Sequence, residues 1–204
     1  MRGVLGEISL SSQRRIRLVA YGARLESVLG ESPRGFESPI LRAVNWKWVA
    51  PMTVVTPRDS QAIRDLVHVV RPARIIEFGS WQGRSALSFL IEASKFNPLS
   101  RITCVDTWLG SPEHWDPHNT DVEWGHQNLL LEDGEPQFFS TFKAAVESNG
   151  FSERVDIVRA PTSFAGGYLV ANYPDTDLIY IDADHSARAV KADISVARRI
   201  SSGG

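Results

Sequence analysis

Three places in the sequence set acidic residues beside turns in patterns that could serve chemistry. The first is Glu77-Phe78-Gly79-Ser80-Trp81-Gln82-Gly83-Arg84-Ser85, an acid followed by two glycines spaced G-x-x-x-G. Glycine lets a backbone approach a ligand closely, and N–H groups at a helix start attract anionic oxygens. The spacing is not the G-x-G-x-x-G of dinucleotide folds, and a tight strand-to-helix turn explains it equally well. The second is Asp106, which closes an apolar run. An acid there can accept hydrogen bonds from ribose hydroxyls or cap the turn that follows. The third is Ile181-Asp182-Ala183-Asp184-His185. Two carboxylates and an imidazole could bind a divalent cation or accept a proton from a substrate, and Asp184 also suits the cap of a following helix. His114, His118 and His126 share one long polar stretch. A histidine cluster can hold a metal, but no helical spacing fixes the geometry of this one.

Chemistry of this kind needs elements to carry it. Apolar runs at 73–78, 101–106, 154–158 and 177–182 read as buried strands. Residues 85–96, 138–146, 163–171 and 185–200 read as the helices between and after them. An earlier helix runs from the start signal Thr56-Pro57-Arg58-Asp59 through Ile63, Leu66, Val67 and Val70 to Pro72. Strands alternating with helices predict an α/β fold, a parallel sheet with helices on both faces. All three acidic sites then fall at carboxyl ends of strands, where open α/β sheets bind ligands. The connection 107–135 exceeds the usual loop length, and long loops in compact domains are usually functional. Ahead of the strands, Ile16, Val19, Ala20, Ala23 and Val28 recur at helical spacing, so an N-terminal helical arm is predicted up to about residue 30. Residues 30–39 form a linker by composition. Trp46, Trp48, Val49, Pro51 and Met52 make an apolar cluster that either caps a sheet edge or closes as a lid over a ligand.

Composition bounds the rest. The chain has 204 residues, 22 basic and 24 acidic, for a formal net charge of −2. That balance argues against broad electrostatic capture of nucleic acid, which needs a basic surface. Hydrophobic residues are 43% and charged residues 23%, the composition of one globular domain rather than a disordered chain. No run reaches the ~20 apolar residues of a membrane span. Arg14, Arg15, Arg17 and Arg24 interrupt the N-terminus, which therefore has no signal-peptide core. The single cysteine, Cys104, excludes an internal disulfide and a thiolate zinc cluster. The expectation is a cytoplasmic protein with neither nucleic acid nor membrane as partner.

The stretch Asp106-Thr107-Trp108-Leu109-Gly110-Ser111-Pro112-Glu113-His114-Trp115, the Glu77–Gly83 turn and Ile181–His185 together resemble a known family. They are similar to class I S-adenosylmethionine-dependent methyltransferases, above all to a bacterial small-molecule group with an Asp-Thr-Trp-Leu-Gly-x-Pro-Glu-His-Trp stretch. The likeness runs from about residue 46 to 204. It implies a Rossmann-like sheet, S-adenosylmethionine as cofactor, and methyl transfer to an oxygen of a small-molecule acceptor such as a sugar or natural-product hydroxyl. By position it implies Glu77, Gly79 and Gly83 along the methionine part of the cofactor. Asp106 falls at the ribose hydroxyls and Trp108 against the adenine. Thr162 and Ser163 flank the adenine, and Ser80 and Thr107 complete the cofactor contacts. His114 and Trp115 fall on the substrate side. Asp182 and His185 stand nearest to take a hydroxyl proton. Related enzymes with a metal site place its first carboxylate at the position of Asp182, which admits Mg2+ as a second cofactor.

Relatives typically continue after a Gly-Gly turn into a fifth strand ending in two acids, whereas this sequence stops at Gly203-Gly204. The resemblance therefore implies missing C-terminal strands and a metal site short of ligands. It places an arm and linker at 1–50 and an incomplete cofactor-binding domain at 51–204. A fragment or natural truncation of this kind could bind cofactor or a partner without transferring anything. Its strand at 177–182 would expose an apolar edge, to be met by a second copy in a homo-oligomer, by the N-terminal arm, or by partial disorder. A nucleotide-dependent oxidoreductase is the remaining class with such a sheet, and the missing G-x-G-x-x-G counts against it.

Overall fold

The structure, a computed structural model, describes residues 4–9, 15–20, 57, 60–121 and 125–202. In chain order the strands are β1 (Val4–Ser9), β2 (Arg15–Ala20), β3 (Arg74–Phe78), β4 (Arg101–Asp106), β5 (Leu131–Glu132), β6 (Glu135–Pro136), β7 (Val155–Arg159) and β8 (Leu178–Ile181). The helices are α1 (Gln61–Val70), α2 (Arg84–Ser94), α3 (Pro112–Trp115), α4 (Phe138–Ser148), α5 (Thr162–Asn172) and α6 (Ala187–Ser202). One sheet has the order β1-β2-β8-β3-β4-β7, and β5 and β6 form a small separate ribbon. From β2 to β7 every pairing is parallel, and β1 runs antiparallel to β2.

The strand sequences explain why both faces are covered. Along β8, Leu178 and Tyr180 pack on one face and Ile179 and Ile181 on the other, all buried. Ile75, Ile102 and Cys104 share the first face, with Val67 of α1, Phe89 of α2 and Phe142 of α4. Ile76, Phe78 and Val105 share the second, with Leu169 of α5 and Ala197 of α6. Each such large side chain contributes roughly 1.5–3 kcal/mol on burial, so the alternation fixes which side of each strand tip faces which helices.

Local signals set the helix limits. The Ser60 hydroxyl accepts from the Ile63 N–H at 3.4 Å, so Ser60 caps α1 in place of the predicted Thr56-Pro57 start. Arg71, at φ 49, ends that helix one residue before Pro72. Gly83, at φ 86, opens α2. None of the described helices is long and apolar enough to cross a membrane.

One expectation needs correction. Ile16, Val19 and Ala20 do not lie in a helical arm: residues 4–9 and 15–20 are strands. Arg15-Ile16-Arg17-Leu18 also alternates with the two-residue period of a strand. The edge of β8 carries backbone N–H and C=O groups that need partners. β2 supplies them in the register Arg17 to Leu178 through Ala20 to Ile181. Ala23, Val28, the linker at 30–39 and the aromatic cluster at 46–52 lie outside the described residues.

Candidate functional site

β3 stands between β4 and β8: the chain runs outward from β3 through β4 to β7 and then crosses back to β8 on the other side, and the crevice at the carboxyl end of β3 is where such sheets bind ligands. The turn after β3 is tied to both neighbours. The Gly79 N–H donates to Val105 O at 2.9 Å, and the Asp182 N–H donates to Phe78 O at 2.8 Å. Gly79 has φ 84, and a Cβ there would meet the Asp182 carbonyl and sit 2.5 Å from Ala183 Cα. A Cβ on Gly83 would lie 2.8 Å from the Phe142 ring. Both glycines are thus required by protein packed on protein, as in the strand-to-helix turn that was the alternative to a ligand cradle.

Glu77 points from β3 into the face covered by α2 and α4, beside Tyr180 in register on β8. It is fully buried, and burial raises its pKa from 4.5 to about 7. The hydroxyls of Ser80 and Ser85 oppose that rise, and the charges of Asp182 and Asp106 add to it. Cys104 Sγ donates to Oε2 at 3.8 Å, while Oε1 has no hydrogen-bond partner among the described residues. A buried acid with an unmet oxygen beside a strand-tip turn fits a ligand that brings a donor or a cation.

Asp106 is heavily engaged. Oδ2 accepts from the N–H groups of Ser80 and Trp81, and Oδ1 from that of Trp108, each at 2.8 Å. A carboxylate has about four acceptor positions, which leaves about one for a ribose hydroxyl. Capping the following turn and holding the glycine turn are both visible functions of this residue. Trp108 requires a correction. Its ring is 1% exposed, packed against Phe139 and Phe142 with centroids 5.1 and 4.9 Å away. Its indole N–H donates to Trp81 O at 2.7 Å. It is a core residue and presents no face to an adenine. Thr107 lies beside it, and its hydroxyl accepts from the Leu109 N–H at 3.1 Å.

The long connection folds over this edge through α3. His114 is buried, and its Nδ1 accepts from the Ser111 N–H at 3.1 Å, which puts the proton of the neutral ring on Nε2. Burial also lowers its pKa. The ring stands edge-on to Phe138 at 5.3 Å and 6.2 Å from Trp81. Trp115 is half exposed, with its indole donating to Leu109 O at 2.8 Å. Thr162 and Ser163 open α5. Thr162 is buried, and its hydroxyl bonds Asp193 of α6, an acid that burial raises to about 6. Ser163 is exposed. Thr162 therefore joins two helices on the far side of the sheet.

At the tip of β8, Asp182 Oδ1 lies 3.4 Å from His185 Nε2, and the Tyr180 hydroxyl donates to Oδ2 at 3.4 Å. The hydrogen bond to Asp182 is the main reason that the His185 pKa is raised, against the opposing effect of burial. Asp184 accepts from the Ser186 N–H at 2.8 Å and so braces the entry to α6. No group of three or more His, Cys, Asp and Glu gathers to hold a metal among the described residues. His126 Nδ1 bonds the His114 carbonyl at 3.0 Å instead. Among the described residues Asp182 gains no further ligands for the Mg2+ that the resemblance admits, in line with the incomplete site it implies.

The structure thus brings Glu77, Ser80, Asp106, Asp182 and His185 to one strand edge and places Trp108 and Thr162 in packing. Two contributors are new. Tyr180 supports Asp182, a relation visible as an i, i+2 pair at the end of one apolar run. Trp81 sits inside the glycine turn at φ 43, and nothing in its sequence neighbourhood announces a left-handed tryptophan.

The sequence matches the family described as methyltransferase domain over residues 76–204, more than half of the chain. No curated protein matches it. Among solved structures, it is similar to an O-methyltransferase from Bacillus cereus in complex with SAH, at 15% identity over 72% of this chain and 54% of that one, TM-score 0.46. An SAH-bound methyltransferase from Podospora anserina, PaMTH1, matches at 21% identity over 67% and 45%, TM-score 0.42. The calicheamicin methyltransferase CalS11 matches at 21% identity over 67% and 57%, TM-score 0.48. The chain spans about half the length of these structures.

Proposed function

Because this chain belongs to the methyltransferase-domain family, we propose that the carboxyl edge of β3, β4 and β8 binds S-adenosylmethionine and serves O-methylation of a small-molecule hydroxyl. The observation that carries the reading is Glu77, an acid fully buried beside the strand-tip turn with Oε1 left for a ligand. The cofactor would supply a methyl group on a sulfonium, a leaving group that departs uncharged. The residues of the chain bind and orient. Glu77 and Ser80 would meet the methionine part, with its cationic amino group. The remaining acceptor position of Asp106 would take one ribose hydroxyl.

Methyl transfer to a hydroxyl also needs a proton acceptor, and much of the remaining help is positioning. With His185 Nε2–H directed at Asp182, Nδ1 is the nitrogen that accepts the hydroxyl proton. Asp182 stabilises the resulting imidazolium, and the side chain of His185 is 35% exposed, within reach of an acceptor from solvent. His114 and Trp115 bound the same edge on the α3 side. Sugar and natural-product hydroxyls are the acceptor class that the sequence resemblance suggests.

Calorimetric titration with S-adenosylhomocysteine and with NAD tests the cofactor. The expected result is binding of the first and little binding of the second; tighter binding of NAD would refute the assignment. Binding without methyl transfer to any hydroxyl acceptor would favour a cofactor-binding module.

A further inference from the structure

We propose that Trp108 is a positioning residue that presets the turn 79–83 before any ligand arrives. For the identity of the ligand this rests on the reading above; the clasp itself rests on geometry alone. Trp81 and Trp108 are both non-glycine residues in the left-handed region, at φ 43 and φ 55, a conformation that persists only where the surroundings impose it. Both peptide groups of Trp81 are tied. Its N–H donates to Asp106 Oδ2 at 2.8 Å, and its carbonyl accepts from the Trp108 indole at 2.7 Å. The backbone N–H of Trp108 is held by the other oxygen of the same carboxylate, at 2.8 Å. One carboxylate and one indole N–H therefore fasten two left-handed tryptophans to each other across neighbouring strand tips.

Core packing accounts for the burial of Trp108 but not for an indole N–H aimed at the carbonyl of a strained residue in another turn. A phenylalanine would fill most of that volume and make no such bond. The clasp also fixes the Trp81 ring, 6.0 Å from Phe138 and 6.2 Å from His114, so the same contact sets the wall between the cofactor turn and the long connection. A turn held in its binding shape loses less freedom when the ligand docks.

The test compares Trp108→Phe with Leu169→Ala, a core truncation on the opposite face of the sheet. In the ligand-free protein, amide hydrogen exchange at Ser80 and Trp81, measured relative to β3, should accelerate about tenfold in Trp108→Phe and stay unchanged in Leu169→Ala. The dissociation constant for S-adenosylhomocysteine should rise about five- to tenfold in Trp108→Phe and less than about twofold in Leu169→Ala. Unchanged relative exchange in Trp108→Phe overturns the clasp. Faster exchange with unchanged affinity overturns its role in ligand positioning. If the wild-type chain does not bind S-adenosylhomocysteine, the cofactor reading fails, and exchange still decides the clasp. Should Trp108→Phe not fold, exchange of the Trp108 indole N–H in the wild-type chain decides: it should exchange together with the Trp81 amide, and an indole that exchanges faster than that amide overturns the clasp.

Discussion

Replacing Glu77 with glutamine should make the protein more stable at neutral pH and weaken its hold on the cofactor. Glu77 is fully buried, with its pKa raised from 4.5 to about 7. Between those values the folded chain holds a proton that the unfolded chain has released, so stability falls as pH rises through that window. At about 1.36 kcal/mol per pH unit the gap amounts to about 3 kcal/mol by pH 8. Asp193, raised from 3.8 to about 6, adds the same sign over a lower window. Glutamine removes only the share of Glu77. The ligand-free variant should therefore match wild type near pH 4.5 and exceed it at pH 8 by about 6–12 °C in Tm, using the usual scaling for a domain of this size. Thermal unfolding at pH steps from 4.5 to 8 measures the difference. A variant whose Tm offset from wild type is the same at both ends refutes the assignment of a buried, proton-holding acid. Calorimetry on the same sample should show affinity for S-adenosylhomocysteine reduced about tenfold, since a charge-assisted contact is lost.

Asp182→Asn should move the rising limb of the pH profile of methyl transfer to lower pH, because Asp182 is what keeps the proton on His185 to higher pH; an NMR titration of His185 that does not shift would count against the pair. Gly79→Ala should cost more than about 3 kcal/mol in urea unfolding, since the added carbon meets the backbone of Asp182 and Ala183; a soluble variant of wild-type stability would contradict the packing. Asp106→Ala should lower Tm without any ligand and also weaken S-adenosylhomocysteine binding about tenfold or more; a loss confined to binding would mean that the backbone contacts of Asp106 contribute nothing.

The nucleotide-fold half of the chain was legible because its signals are local. Arg101–Asp106 reads directly as a strand, and Asn97-Pro98 and Pro72 bracket the helices. The carboxyl-edge positions of Glu77, Asp106 and Asp182 follow from that alternation. Two kinds of feature were not legible. Hydrogen bonds between turns decide the fate of Trp108 and Thr162, and a string of types cannot show that an indole turns inward to Trp81 or that a hydroxyl finds Asp193. Residues 15–20 look helical by periodicity because Ile16, Val19 and Ala20 satisfy a helical spacing while Arg15 to Leu18 alternate as in a strand, and the deciding partner, β8, lies far along the chain.

The pairing of β3 with β8 sets an order of events for the nascent chain. Asp177 Oδ2 accepts from the N–H groups of Ala73 and Arg74 at 2.9 Å, across separations of 104 and 103 residues. Contacts that distant must overcome a large loop-closure entropy before they contribute anything, and they form late. The units β3-α2-β4 and β4-α4-β7 can condense from nearby sequence, but the Gly79 turn and the Asp182 tip meet only when β8 inserts beside β3. Intermediates that already contain the glycine turn therefore lack the Asp182 and Ala183 backbone that packs against Gly79, and the candidate site is assembled in the same step that brings β8 beside β3.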